Sequence, residues 1–332
     1  MRVLVTGGAG YIGSHAVKAL VGAGHDVVVL DDLSAGHAEA VRGVPLVRAR
    51  VHDTATVRSV LREQRIDAVM HFAAWLAVGE SVRHPGKYYE NNVTGSLLLL
   101  EAMAAEGVRQ LVFSSTCAVY GEPDHLPLTE THRTAPVNAY GESKLVVERA
   151  CRHFGIAHGL RAIALRYFNA AGADPDGVLG EDHDPEIHLI PLAIDAARGG
   201  RSLQVFGLDY PTPDGTCLRD YVHVMDLAQA HVMALAALEA GRAGAVYNVG
   251  TGRPWSVREV IDTVTRVVGT PVAWQAAPRR DGDPSALYAS SALVQAELGW
   301  RPVSSDLETI VAHAAAWRAA HAGGYRGAVV RS

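Results

Sequence analysis

Short, wholly apolar runs alternate along the first half of the chain with longer stretches whose apolar residues recur every three or four positions. Residues 3–6 are largely β-branched and end at glycines, 12–20 carry helical spacing that stops at Gly24, and 27–30 are again continuous and end on Asp31. The alternation repeats as a strand at 44–47, a helix at 54–64, a strand at 68–72, a helix at 92–106, a strand at 110–114, a helix at 139–153 and a strand at 162–167. Strands that are apolar throughout need cover on both faces, so the pattern predicts an α/β fold with a doubly wound parallel sheet over residues 1–168.

After Asn169 the texture changes. Residues 170–220 are rich in Gly, Pro and Asp, with short periodic pieces such as 191–197, and predict a smaller C-terminal substrate domain over 169–332. One more buried strand at 245–250 is expected to return to the first domain, and 257–268 read as an amphipathic helix. Residues 323–332 read as a loosely held tail.

Composition narrows the classes. Of 332 residues 48% are apolar and 20% charged, which excludes disorder as the general state. A net charge of −5 with interspersed signs offers nucleic acid no basic stripe, and no apolar run is long enough to span a bilayer. Three scattered cysteines, Cys117, Cys151 and Cys217, fit a reducing compartment, and residues 1–5 run into a glycine turn without room for a leader. A cytoplasmic protein is expected.

The turn reads V-T-G-G-A-G-Y-I-G-S-H, between a strand and a helix, and a second strand ends on Asp31, 18 residues after Gly13. In that context Gly7 permits the tight turn, Gly10 lets a pyrophosphate approach the main chain, and Gly13 lets helix and strand pack closely. The sheet is therefore expected to be of Rossmann type. Asp31 would accept from the adenosine ribose hydroxyls and repel a 2′-phosphate, so the expected cofactor is NAD. Asp32 either strengthens that repulsion or caps a turn.

A-Y-G-E-S-K places Tyr140 and Lys144 on one helix face, a turn apart. Abstracting a sugar hydroxyl proton at neutral pH needs a base, and free tyrosine titrates near ~10. A neighbouring ammonium and the positive nicotinamide would both favour the phenolate. Tyr140 is the expected base, Lys144 would also hold the nicotinamide ribose, and Thr116, at a strand's carboxyl end, would bond the reacting oxygen. Capping a loose backbone group suits Ser114 and Ser115 better than Thr116.

The T-G-G-A-G-Y-I-G wording resembles the extended short-chain dehydrogenase/reductase family. H-F-A-A-W-L-A-V-G-E-S-V, Y-Y-E-N-N-V-T-G, S-S-T-C-A-V-Y-G, L-R-Y-F-N-A-A-G-A, A-P-R-R-D-G-D-P and above all D-Y-P-T-P-D-G-T-C-L-R-D-Y-V-H-V make the chain similar to the UDP-glucose 4-epimerases over almost its whole length. That resemblance implies interconversion of UDP-glucose and UDP-galactose through a 4-ketose that swings over and is reduced on its other face. It implies cofactor contacts from Tyr11, Ile12, Phe72, Ala73, Ala74, Asn91 and Phe168. It further implies that Arg219 and Arg280 pair with the UDP phosphates, that Asp283 meets the uridine ribose, and that Asn169, His188, Leu189, Gln204, Val205 and Phe206 line the nucleotide pocket. A homodimer through the helices near 92–106 and 139–153 is implied as well.

Departures from the family pattern are informative. Ala49-Arg50-Val51 lacks the acid that often meets the adenine amino group, although Val51 can still pack on the ring, and Leu76 stands where a lysine often contacts cofactor; both could loosen NAD. Sister dehydratases and decarboxylases place an acid after the threonine, whereas Cys117 and Ala118 follow here, and epimerisation needs no such acid. Leu287, intermediate in bulk at a position implied to gate 2-acetamido sugars, makes UDP-N-acetylglucosamine an expected slower substrate. His183 and His188 lack a metal-ligand helix pattern and are expected in loop and pocket roles, with no metal. Other readings are a UDP-pentose, UDP-uronate or UDP-N-acetylhexosamine 4-epimerase and, from another class, a catalytically silent dinucleotide sensor, which would usually lose Tyr140 or Lys144.

Overall fold

The computed structural model describes residues 1–280 and 284–327, so Asp283 lies outside the described residues. Strands β1 (Arg2–Thr6), β2 (Asp26–Asp31), β3 (Leu46–Arg48), β4 (Ala68–His71), β5 (Gln110–Ser114) and β6 (Arg161–Tyr167) alternate with helices α1 (Tyr11–Gly22), α2 (Thr54–Glu63), α3 (Val78–Arg83), α4 (Pro85–Tyr88), α5 (Gly95–Ala105) and α6 (Ala139–His158). The second half adds β7 (Asn169–Ala171), α7 (Leu189–Ala197), β8 (Leu203–Phe206), β9 (Leu218–His223), α8 (Val224–Glu239), β10 (Ala245–Val249), β11 (Pro254–Ser256), α9 (Val257–Val268), β12 (Trp274–Ala277), β13 (Ala286–Leu287), α10 (Ala292–Leu298) and α11 (Leu307–Ala320).

Seven strands form one sheet in the order β10-β6-β5-β4-β1-β2-β3, and every pairing in it is parallel. This is the Rossmann-type doubly wound sheet that the apolar runs predict. Successive side chains leave a strand on opposite faces. Val3 and Val5 accordingly enter one core with Val17, Leu20 and Leu235, while Leu4 enters the other with Val57, Leu99 and Val147. The order reverses at β1, between β2 and β4, which opens a crevice beyond the strands' carboxyl ends.

The second half of the chain contributes more to this sheet than one returning strand. Helix α8 lies against α1, its Leu227, Ala230 and Leu235 sharing that core, and Trp300 joins them. The remainder builds a separate core in which Ile190, Ile194, Val260, Val264, Ile310 and Val311 from α7, α9 and α11 meet. Helix α9 starts at a capping box between Ser256 and Glu259. The segment expected to be a loose tail is docked as far as it is described: Tyr325 is buried, and its hydroxyl donates to Gly180 O (3.2 Å).

Helix 92–106 begins earlier than its apolar pattern does. Residues Tyr89–Thr94 form a π-helical turn that joins α4 to α5. Such an insertion rotates the residues on it relative to the α-helices at either end.

Candidate active site

The turn after β1 is bare for steric reasons. Gly7 has φ +71°, and a Cβ there would lie 2.4 Å from Ala73 N; a Cβ on Gly13 would lie 2.2 Å from Gly7 O. Gly10 caps α1 without a side-chain bond, and the first helical turn carries no acid. The opening amides of α1, from Tyr11, Ile12 and Gly13, have no partner within the helix and suit an anion. Phe72 N and Ala73 N donate to Thr6 O (2.8 and 3.1 Å), which brings the segment holding Phe72, Ala73 and Ala74 beside the turn. The Tyr11 hydroxyl donates to Gly172 O (2.7 Å), tying the turn to the strand after Asn169.

Asp31 closes the far end. Its carboxylate accepts from Ala9 N and Leu33 N, each at 2.9 Å, and burial raises its pKa above the usual value. Asp32 accepts from Ser34 N (2.9 Å), so the turn-capping reading describes its contact here, and Arg50 Nε stands 4.0 Å away. Val51 is buried against the sheet core, and Asn91 donates to Asn92 Oδ1 (3.1 Å). A glycine cradle that admits no Cβ, helix amides and a terminal carboxylate together fit NAD.

Asn138 caps α6 by accepting from Gly141 N (2.9 Å). A Cβ on Gly141 would lie 2.5 Å from Ala118 O, so glycine there lets the start of α6 press against the turn that follows Thr116. Lys144 is 4% exposed and donates to Ser114 O (2.8 Å), and burial pushes it down to about 7. The Tyr140 phenol is raised above its ordinary value, with burial the largest cause and Tyr167 next, while a hydrogen bond from Thr116 opposes the rise. The expectation that Lys144 favours the phenolate is therefore not met by the protein groups alone. The ammonium is directed at a carbonyl, and burial outweighs what remains.

Thr116 also departs from expectation. It does cap, accepting from Ala118 N (3.2 Å), besides bonding Tyr140. The two serines face elsewhere: Ser114 Oγ meets Tyr167 OH and Ser115 Oγ donates to Glu148 Oε1. Phe168 is buried beside Leu145, next to Lys144.

Several supporting residues make contacts that their local motifs do not announce. Asn92, turned inward on the π-helical segment, accepts from Trp75 N (2.9 Å) and donates to Trp75 O (3.0 Å) and Ser143 Oγ (3.1 Å), joining the cofactor loop to the residue before Lys144. Glu148, a turn beyond Lys144, pairs with buried Arg166 at 2.5 Å, and Arg166 donates to Tyr120 OH (3.0 Å). Their sequence separation hid the pair.

On the substrate side, Asn169 donates to Asp220 O (3.0 Å), and Arg219 acts on the Cys117 thiol, which burial nevertheless pushes up to about 12. The Arg280 guanidinium lies 3.9 Å from the Phe206 ring centroid. Arg279, its neighbour, is instead paired with Asp209 at 2.7 Å. Gln204 is exposed on β8 whereas Val205 points into the second core, so only its main chain can face a ligand. Leu189 opens α7 and His188 caps it. The His188 imidazole is bonded to Glu181, and His183 joins the same group with Glu186, a convergence that the two-histidine spacing did not reveal.

Comparison with known proteins places this geometry. Residues 3–250 match the NAD dependent epimerase/dehydratase family. The chain is 48% identical over 326 residues to the UDP-glucose 4-epimerase of Halalkalibacterium halodurans, covering 98% of both chains. It is similar to the structure of UDP-glucose 4-epimerase from Brucella ovis in complex with NAD (TM-score 0.93, 49% identity, 95% of this chain and 97% of that one). It is also similar to that from Bifidobacterium longum in complex with NAD+ and UDP (TM-score 0.92, 38% identity, 98% and 100%). On this match and these identities, the chain belongs to the NAD dependent epimerase/dehydratase family, among the UDP-glucose 4-epimerases.

Proposed function

We propose that this protein interconverts UDP-glucose and UDP-galactose at the carboxyl ends of β1, β4 and β5. The observation that carries this reading is the meeting of Tyr140, Thr116 and Lys144 beside a glycine cradle closed by Asp31. NAD held there supplies a hydride acceptor and donor and a positive charge near the phenol.

The residues have separable roles. Tyr140 takes the proton from the sugar 4-hydroxyl as the ring becomes a 4-ketose and returns it after the ketose has turned over. Thr116, donating to the phenol, holds the proton path in place and favours the phenolate. Lys144, anchored on Ser114 O, fixes the height of α6 against β5 and reaches the nicotinamide ribose. Arg219 and Arg280 grip the diphosphate, the latter from a guanidinium laid on Phe206, while Asn169, Leu189, the main chain at His188 and the edge of β8 hold the nucleotide. Asp283 would complete the uridine site. With Cys117 and Ala118 after the threonine, no acid stands there to expel water, which favours epimerisation over dehydration.

The same reading assigns the UDP-sugar site to residues 169–332 outside β10 and α8, and a cytoplasmic setting in galactose metabolism. Cys117, Cys151 and Cys217 are not joined in disulfides, and among the described residues no helix is long and apolar enough to cross a membrane. A homodimer through α5 and α6 would cover Ile156, 77% exposed on α6. Leu287 pairs in register with Arg219, beside the sugar, and leaves room for slower turnover of UDP-N-acetylglucosamine. The test is to mix purified protein with UDP-galactose and follow UDP-glucose. Undiminished turnover in a Tyr140→Phe variant would overturn the assignment.

A further inference from the structure

The stretch E-D-H-D-P-E-I-H leads into α7 and brings four side chains of metal-ligating type to one point. One atom from each of Glu181, His183, Glu186 and His188 lies within 4.8 Å of all the others. His183 Nδ1 is 3.2 Å from Glu181 Oε1 and 3.6 Å from Glu186 Oε1, and His188 Nδ1 is also 3.6 Å from Glu186 Oε1. Four ligands at ~2.0–2.1 Å around a tetrahedral ion stand roughly 3.4 Å apart. Those three separations are those of a shared ligand sphere, whereas the fourth pairing, His188 Nδ1 with Glu181 Oε1, is a hydrogen bond that an ion would have to open.

Two carboxylates clamping two protonated imidazoles would carry the same total charge, so alignment has to decide between the two. His183 Nδ1 is buried and makes no aligned hydrogen bond although Glu181 Oε1 is at contact distance. Glu186, whose side chain is 10% exposed, accepts from Ile187 N and His188 N through Oε1, but its buried Oε2 has no hydrogen bond. Arg318 Nη1 lies 3.9 Å from Oε2, and that guanidinium is committed to Asp195. Atoms that approach without donor–acceptor alignment are what two ligands of one ion present to each other.

We propose that Glu181, His183, Glu186 and His188 form a structural divalent-metal site with the nitrogen and oxygen donor set of zinc. The ion would clamp the 181–188 loop to the start of α7 and to Tyr11, whose ring lies edge-on to His183 with centroids 6.2 Å apart. Neither the family match nor the epimerase reading requires it, and its test does not depend on turnover.

Chelator-stripped protein is dialysed against zinc, then against metal-free buffer, and its metal content measured. The expected content is about one zinc per chain, falling at least about tenfold in His183→Gln and in Glu186→Gln, each checked for fold by circular dichroism. Cobalt(II) added to the unaltered protein should give the intense visible absorption of a four-coordinate ion, displaced by one equivalent of zinc. Zinc content no higher than in the His183→Gln protein, or the weak spectrum of a six-coordinate solvated ion, would overturn the site.

Discussion

Lys144 Nζ donates to the carbonyl oxygen of Ser114 across 2.8 Å, so the ammonium that pairs with Tyr140 in sequence is bound in space to the end of β5, two residues before Thr116. Burial holds this lysine at about 7, well under the ~10.4 of an unfolded chain. Between those values the unfolded state binds more protons, so this group makes stability rise with pH from about 7 and contributes a constant cost below it. Lys144→Met should flatten that rise in urea midpoints measured from pH 7 to 10. Equal slopes in both proteins would show that the lysine is not desolvated.

The Glu148–Arg166 pair lies directly behind. With side chains 6% and 7% exposed, removing one charge strands the other in the interior. Glu148→Gln should lower unfolding free energy by about 3–5 kcal/mol, and a Glu148→Gln, Arg166→Met double variant should recover part of that loss. Equilibrium denaturation of the three proteins checks it.

Acid should unfold the protein through its buried histidines. Burial holds His15, His223 and His231 at about 4 and His71 at about 3. Ser96 Oγ donates to Asn92 O, so it must accept from His71 Nε2, and His71 Nδ1 accepts from Thr6; a second proton breaks that chain. Stability conferred by the neutral rings is complete above the unfolded value of ~6.5 and is lost as pH falls toward 3–4, at up to about 1.4 kcal/mol per pH unit per ring. His71→Gln should reduce the proton uptake on unfolding at pH 5 by about one.

Gly13→Ala tests the cradle. A methyl group 2.2 Å from Gly7 O forces α1 away from the turn. Purified Gly13→Ala protein should carry far less NAD than the unaltered protein, read from absorbance after denaturation. Full retention would mean that the glycine spacing is not what admits the cofactor.

Much of this was readable along the chain because its cause is local. Strand β5 and helix α9 have the bounds that their apolar periods indicate, and the cradle and the Tyr140–Lys144 face follow from spacing within one turn. What was hidden depends on contacts between distant segments. The π-helical turn that aims Asn92 at Trp75 has no propensity signature, α8 is too uniformly apolar to announce which core it joins, and Glu148 meets Arg166 only because β6 runs beside α6. The 181–188 cluster has no helical ligand spacing, and only the fold of the loop brings Glu181 and Glu186 onto the two histidines. Tyr140 shows the limit most clearly, since its neighbour in sequence says less about its protonation than its depth does.

The central claim is that Tyr140 moves a proton while the hydrogen on the sugar's C4 never reaches solvent. UDP-galactose carrying deuterium at that carbon, turned over by the purified protein in ordinary water, tests it most directly. The account predicts UDP-glucose with the label retained at C4 and turnover cut by about 10²–10⁴ in Tyr140→Phe. Label lost to water, or a phenylalanine variant as fast as the unaltered protein, would contradict it.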